Sequence, residues 1–178
     1  MPPSSLSTLG RDRAAFLAAY DAFTPDQRAF RPADGGWTAD EVAEHLVRVD
    51  SGILAALAKQ MAAGTARRTL GRPSLIRPAL VTRFMRSGGQ TRMPPAVAPH
   101  ITPVGTDGAA SRVALGESAE AWTRLGASVA PDLARTALWM HPVGGPYTFA
   151  QAAGFHASHF DHHTRQLARI RVSDGFPA

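Results

Sequence analysis

Residues 155–170, FHASHFDHHTRQLARI, constrain this chain more than any other stretch. At about 100° per residue on a helix, His156, His159, His163 and Gln166 fall on one stripe with Phe160, Leu167 and Ile170. Asp161, Arg165 and Arg169 point elsewhere, so the imidazoles lie on the face that packs inward. Buried polar rings are costly unless each finds a partner, and a bound cation satisfies several at once. His159 and His163, one turn apart, can converge on one ion.

A second helix of the same kind opens at Trp37-Thr38. Thr38 and Glu41 form a capping box, and the pattern runs to about Ala63. Its inward stripe is Val42, His45, Leu46, Val49, Ile53 and Ala56, with Glu41, Glu44 and Arg48 on the opposite side. A single inward histidine is ordinarily a satisfied core residue. A pair at i, i+4 with a third on another helix makes a metal site the competing reading, with His45, His159 and His163 as ligands. Three neutral imidazoles with a position left for water resemble a catalytic rather than a closed structural site, and suit Zn²⁺ and Ni²⁺ alike. The chain has no cysteine, so any such site is built from His, Asp, Glu and water.

The remaining polar candidates are read more plainly. His156 is a substrate-side base or a core residue in preference to an extra ligand, and Gln166 supports a ligand or contacts substrate. His162 falls off the stripe, His100 is a loop residue, and His141 fixes its loop or borders a pocket. Asp50 reads as a surface charge, with orientation of a ligand as the alternative. Trp37, Trp122 and Trp139 read as core.

Residues 5–23 form a first amphipathic helix carrying Leu6, Leu9, Phe16, Leu17, Tyr20 and Phe23. Thr24-Pro25-Asp26-Gln27 caps a short turn of helix. Glycines and prolines from 64 to 108 forbid one long helix there, and 75–85 reads as a short helix or lid packed on the rest. A third long helix runs from Ser111 or Glu117 to about Ala130, Leu133–Met140 is a short helix or extended, and 141–146 is a loop. Thr148 caps the last helix. Four long helices without a pair of alternating strands predict an all-α antiparallel four-helix bundle, a single domain over 1–178, with a long Pro/Gly-rich connection between its second and third helices.

The net charge of +5, from 19 Lys+Arg against 14 Asp+Glu, is spread along the chain without an aromatic-interleaved basic stripe, so no nucleic-acid partner is expected. No apolar run suits a membrane span, and the opening MPPSSLSTLGRDR lacks a signal-peptide core; the expectation is a cytoplasmic protein.

Three segments carry a family resemblance. RPADGGWTADEVAEHL at 31–46 resembles the Trp-Ser/Thr opening of helix two in the DinB-like superfamily, which includes the YfiT-like metal-dependent hydrolases. MPPAVAPHITP at 93–103 is similar to the proline-rich connection before helix three. HPVGGPYTFAQAAGFHASHFDHHTRQL at 141–167 resembles the closing motif, HP, a Gly-containing turn and H-x-x-x-H-x-x-Q. The resemblance implies metal ligation by His45, His159 and His163, the family's glutamine at Gln166, a pocket beside the metal and a homodimer. It further implies a small-molecule substrate and transferase or isomerase chemistry with a low-molecular-weight thiol such as mycothiol, bacillithiol or glutathione. A hydrolase with metal-activated water and a non-enzymatic metal- or ligand-binding stress protein are the alternatives.

Overall fold

A computed structural model describes residues 4–63, 76–88 and 94–178 of the chain. The glycine and proline signals at 64, 71, 73 and 89, Leu75 at the start of the expected short helix, and Met93 lie outside the described residues.

The chain is mainly helical. Among the described residues the α-helices are α1 (Ser4–Asp21), α2 (Pro25–Ala29), α3 (Ala39–Ala62), α4 (Ile76–Arg86), α5 (Ala98–Ile101), α6 (Gly108–Ala127) and α7 (Phe149–Arg171). Three of them start at capping boxes. The hydroxyls of Thr24, Thr38 and Thr148 accept from the backbone N–H three residues on, while Gln27, Glu41 and Gln151 reach back to the threonine N–H. Each box satisfies N–H groups that a helix start otherwise leaves open and sets the first residue of its helix. That matters here because the caps of α3 and α7 fix where the histidines fall.

α1 packs along α7, α3 packs against both α6 and α7, and α6 also meets α1. One apolar cluster fills the space between them, with Leu9, Phe16 and Tyr20 from α1, Leu46, Ile53 and Leu57 from α3, Leu115 and Trp122 from α6, and Phe160 and Leu167 from α7. The short helix α4 lies against α7, as its apolar content suggested. No helix among the described residues is long and apolar enough to cross a membrane.

Two expectations need correction. The segment from 139 to 147 is a β-hairpin, β1 (Trp139–His141) paired antiparallel with β2 (Gly145–Tyr147), Met140 opposite Pro146. Three-residue strands are too short to show alternation, and a proline is tolerated because both strands of a two-stranded sheet are edges. Gly145, with φ +78°, supplies the left-handed residue that closes the three-residue loop.

Glu44 is the second correction, for it is buried rather than on a solvent face. Its carboxylate accepts from the backbone N–H of Val104, Gly105 and Thr106 and from the Thr106 hydroxyl, at 2.9–3.0 Å. Burial works to raise its pKa, but these donors outweigh it and hold the carboxyl below its ordinary value. Arg48, one turn on, donates to the carbonyls of Pro99 and His100. One turn of α3 thus holds the connection from 98 to 106. Glu44→Ala is expected to destabilise the protein by about 2–3 kcal/mol, since three backbone donors lose a charged acceptor. Chemical denaturation measures this, and a change under about 0.5 kcal/mol, the size expected of an ordinary surface substitution, counts against it.

Candidate metal centre

The cap at Thr38 sets His45 two turns into α3, and the cap at Thr148 sets His159 and His163 in the middle of α7. All three rings are buried. Nε2 of His159 lies 3.2 Å from Nε2 of His45 and 3.0 Å from Nε2 of His163. The three candidate ligand atoms lie within 4.8 Å of one another.

Outer contacts decide which nitrogens face inward. His45 Nδ1–H donates to the Ile101 carbonyl at 2.7 Å, at the end of α5, and Trp37 covers the ring at a centroid distance of 4.8 Å. His163 Nδ1–H donates to Gln166 Oε1 at 2.7 Å. With the proton on Nδ1 in both, two Nε2 lone pairs point at His159 Nε2. A proton on His159 Nε2 serves one of them at a time and leaves the other buried and unmatched. A divalent cation accepts all three lone pairs. Nitrogens about 2.0–2.1 Å from a tetrahedral zinc ion are separated by about 3.3 Å, close to the two separations that His159 makes.

Electrostatics agrees with that geometry. Burial, reinforced for His159 by its neighbouring imidazoles, holds His159 and His163 well below the ordinary histidine pKa, and burial brings His45 down to about 4. The rings are neutral at physiological pH, the form that binds metal.

The triad forms part of the wall of a cavity of about 1150 Å³ whose other walls include Val49, Ile53, Phe84, Ile101, Trp139 and Phe155. Trp37 and Trp139, expected in the core, line it, whereas Trp122 is fully buried. His100, His141 and His162 also border it, and no Asp or Glu is among its described lining residues.

Two sequence candidates sit elsewhere. Gln166 is on the outer side of His163 and does not line the cavity. His156 is fully buried on the core side, with Nε2 2.8 Å from Asp50 Oδ1. Of the two roles left open for His156, its position is that of a core residue. Asp50 is no surface charge, being 1 % exposed and enclosed by His156, Arg13 and Trp122.

A family model for the DinB superfamily matches residues 8–167. The chain belongs to the DinB superfamily. The match takes in all of α3 and α7 as far as Leu167, and so both histidine-bearing segments of this DinB chain. No curated protein and no solved structure matches it.

Because Gln166 orients His163 from behind, Gln166→Ala in this DinB protein is expected to weaken metal affinity about 10- to 100-fold with little change in fold. Competition with a chromophoric chelator measures the loss, and unchanged affinity removes Gln166 from the site.

Proposed function

We propose that this protein is a metal-dependent enzyme that presents a low-molecular-weight thiol to an electrophilic small molecule. His45, His159 and His163 hold a divalent ion, zinc or nickel, at the end of an antiparallel four-helix bundle formed by α1, α3, α6 and α7. The observation that carries this reading is the convergence of three neutral Nε2 atoms on the wall of an apolar cavity. When bound, the ion favours the thiolate form of a thiol placed beside it.

The chain's own residues do the rest. The Ile101 carbonyl and Gln166 fix the tautomers of His45 and His163, so these two ligands need no rearrangement. Val49, Ile53, Phe84 and Phe155 give the substrate an apolar wall and reduce competition from water. With no cysteine in the chain, a sulfur nucleophile comes from a cosubstrate. In a substitution its sulfur bonds to the electrophilic carbon as the leaving group departs, and the thiol proton leaves with that group; on an enone the sulfur bonds to the β-carbon and the thiol proton ends on the α-carbon. Hydrolysis is the weaker reading, because no Asp or Glu is among the described residues lining the cavity and Asp50 is enclosed in the core.

Metal-loaded protein assayed for consumption of glutathione, mycothiol or bacillithiol with aryl and vinyl electrophiles tests the proposal. Metal-dependent turnover that needs the thiol is the expected result. Hydrolysis without thiol, or saturable small-molecule binding with no turnover at full metal loading, overturns it.

A further inference from the structure

His141 stands on the cavity wall, outside the triad, in a setting that determines which of its nitrogens carries the proton. Its Nδ1 accepts from two backbone N–H groups of its own hairpin loop, Val143 at 3.0 Å and Gly144 at 2.8 Å. An imidazole nitrogen that accepts carries no hydrogen, so the neutral ring bears its proton on Nε2. Burial brings the pKa down to about 4, so the ring stays neutral across the physiological range. Tyr147 stacks on it at 14° between planes, and Trp139 and Phe155 meet it nearly edge to face. Nδ1 faces the loop and aromatic rings hold the plane, which leaves the Nε2 edge for the cavity. No described residue takes up that N–H.

A neutral, immobile N–H in an apolar cavity is a preorganised donor. It costs no reorganisation when a ligand arrives, and low surrounding polarity strengthens the bond it makes. Arg48, which also borders the cavity, is committed elsewhere, donating to the carbonyls of Pro99 and His100. The cavity's volume of about 1150 Å³ lies just above the range of about 300–1,000 Å³ typical of pockets for drug-sized ligands, and exceeds what a small polar metabolite fills. Leu80 and Phe84 of α4 and Met140 and Val143 of the hairpin are exposed apolar residues among those bordering the same cavity.

We propose that His141 is a positioning residue for the substrate, its Nε2–H binding an oxygen acceptor on a bulky, largely apolar molecule such as an aryl ketone or enone. This rests on the reading of the cavity as the substrate site. It adds which electrophiles are accepted, namely those pairing an apolar body with a carbonyl-type oxygen.

The test compares two planar probes of the same shape, 2-acetylnaphthalene and 2-isopropenylnaphthalene, which differ by C=O against C=CH₂. Binding is followed by calorimetry on wild type and His141→Asn. Asparagine retains a side-chain oxygen able to accept from the loop N–H groups two and three residues on, but has no donor at the Nε2 position. The ratio of the two dissociation constants should shift about fivefold against the ketone in the variant, the worth of one hydrogen bond, with the alkene's affinity and the metal content unchanged. Equal ratios in the two proteins overturn the proposal.

Should the variant unfold, nitrogen-15 spectra of the wild-type imidazoles decide the matter. An Nε2–H tautomer for His141 whose resonance moves with the ketone and not the alkene supports it; an Nδ1–H tautomer, or equal shifts, overturns it. Neither probe needs thiol or metal to bind. Equal ketone-to-alkene ratios in wild type and variant therefore strike this proposal alone, whereas a metal-loaded wild type that keeps the ketone preference but shows no thiol-dependent turnover strikes the thiol-transfer reading alone.

Discussion

His159→Ala should leave a folded protein that no longer retains metal. His159 Nε2 is the middle atom of the three, 3.0 and 3.2 Å from its neighbours, so its removal takes away a ligand and separates the other two. The expected loss of affinity is at least about 100-fold, the upper end of what removing a mere supporting contact costs. Fold should suffer far less, because the substitution also removes the ring that crowds two buried lone pairs. Stability linkage makes the contrast measurable. At a metal concentration about 1,000 times the wild-type dissociation constant, binding stabilises wild type by about 4 kcal/mol. The same concentration stabilises a variant with 100-fold weaker affinity by about 1.4 kcal/mol. Elemental analysis of untagged protein purified without added metal gives the direct measurement. Equal metal content and equal thermal shifts for the two proteins would remove the centre on which the proposed chemistry depends.

This site was legible because it obeys helical periodicity. His159 and His163 are four residues apart between Phe160 and Leu167, and His45 precedes Leu46 on a helix whose start Thr38 announces. Those signals are local, and the inward stripes of two helices in one core must face each other. The contacts that complete the site are not local. The Ile101 carbonyl reaches His45 across 56 positions, and Glu44 holds Val104 across 60. Glu44 lies off the apolar stripe of α3 and is covered by the connection rather than by a helix, so no periodicity could mark it. The hairpin that seats His141 is hidden for another reason, since its strands are each three residues long. Even so, the His-Pro…Gly-Gly-Pro run signals a turn, and it is this turn that fixes the ring.

Asp50 is the instructive case, because the same periodicity that marks the histidines also marks its burial. The spacing Leu46, Asp50, Ile53, Leu57 puts it on the inward stripe of α3, and Leu9, Arg13, Phe16, Tyr20 puts Arg13 on that of α1. Opposite charges on the inward faces of two helices are tolerable only as partners. The pair is indeed formed, with Arg13 NH2 3.2 Å from Asp50 Oδ2, the guanidinium lying over the ring of Phe160. Trp122 Nε1–H donates to Asp50 Oδ1 from α6, and His156 of α7 approaches the same oxygen. One carboxylate therefore meets a side chain from each of the other three long helices.

Asp50→Asn is expected to destabilise the protein by about 3–5 kcal/mol, the cost of leaving a buried partner charge uncompensated. Arg13→Met should cost a comparable amount, and the double variant less than the sum, because the two changes remove the same interaction. The pH dependence follows from the direction of the carboxyl's shift. Burial opposes ionisation of Asp50, but His156 and Arg13 overcome it and hold the group well below the ordinary carboxylate range. Its unfolded value is about 3.9, so the stabilisation is complete above that pH and is lost progressively as the pH falls below it. Wild type should lose stability on acidification more steeply than Asp50→Asn between about pH 4 and 2. Urea denaturation across that range reads both effects. Parallel curves for the two proteins, or additive losses in the double variant, would show that Asp50 does not bind the four helices together through its charge.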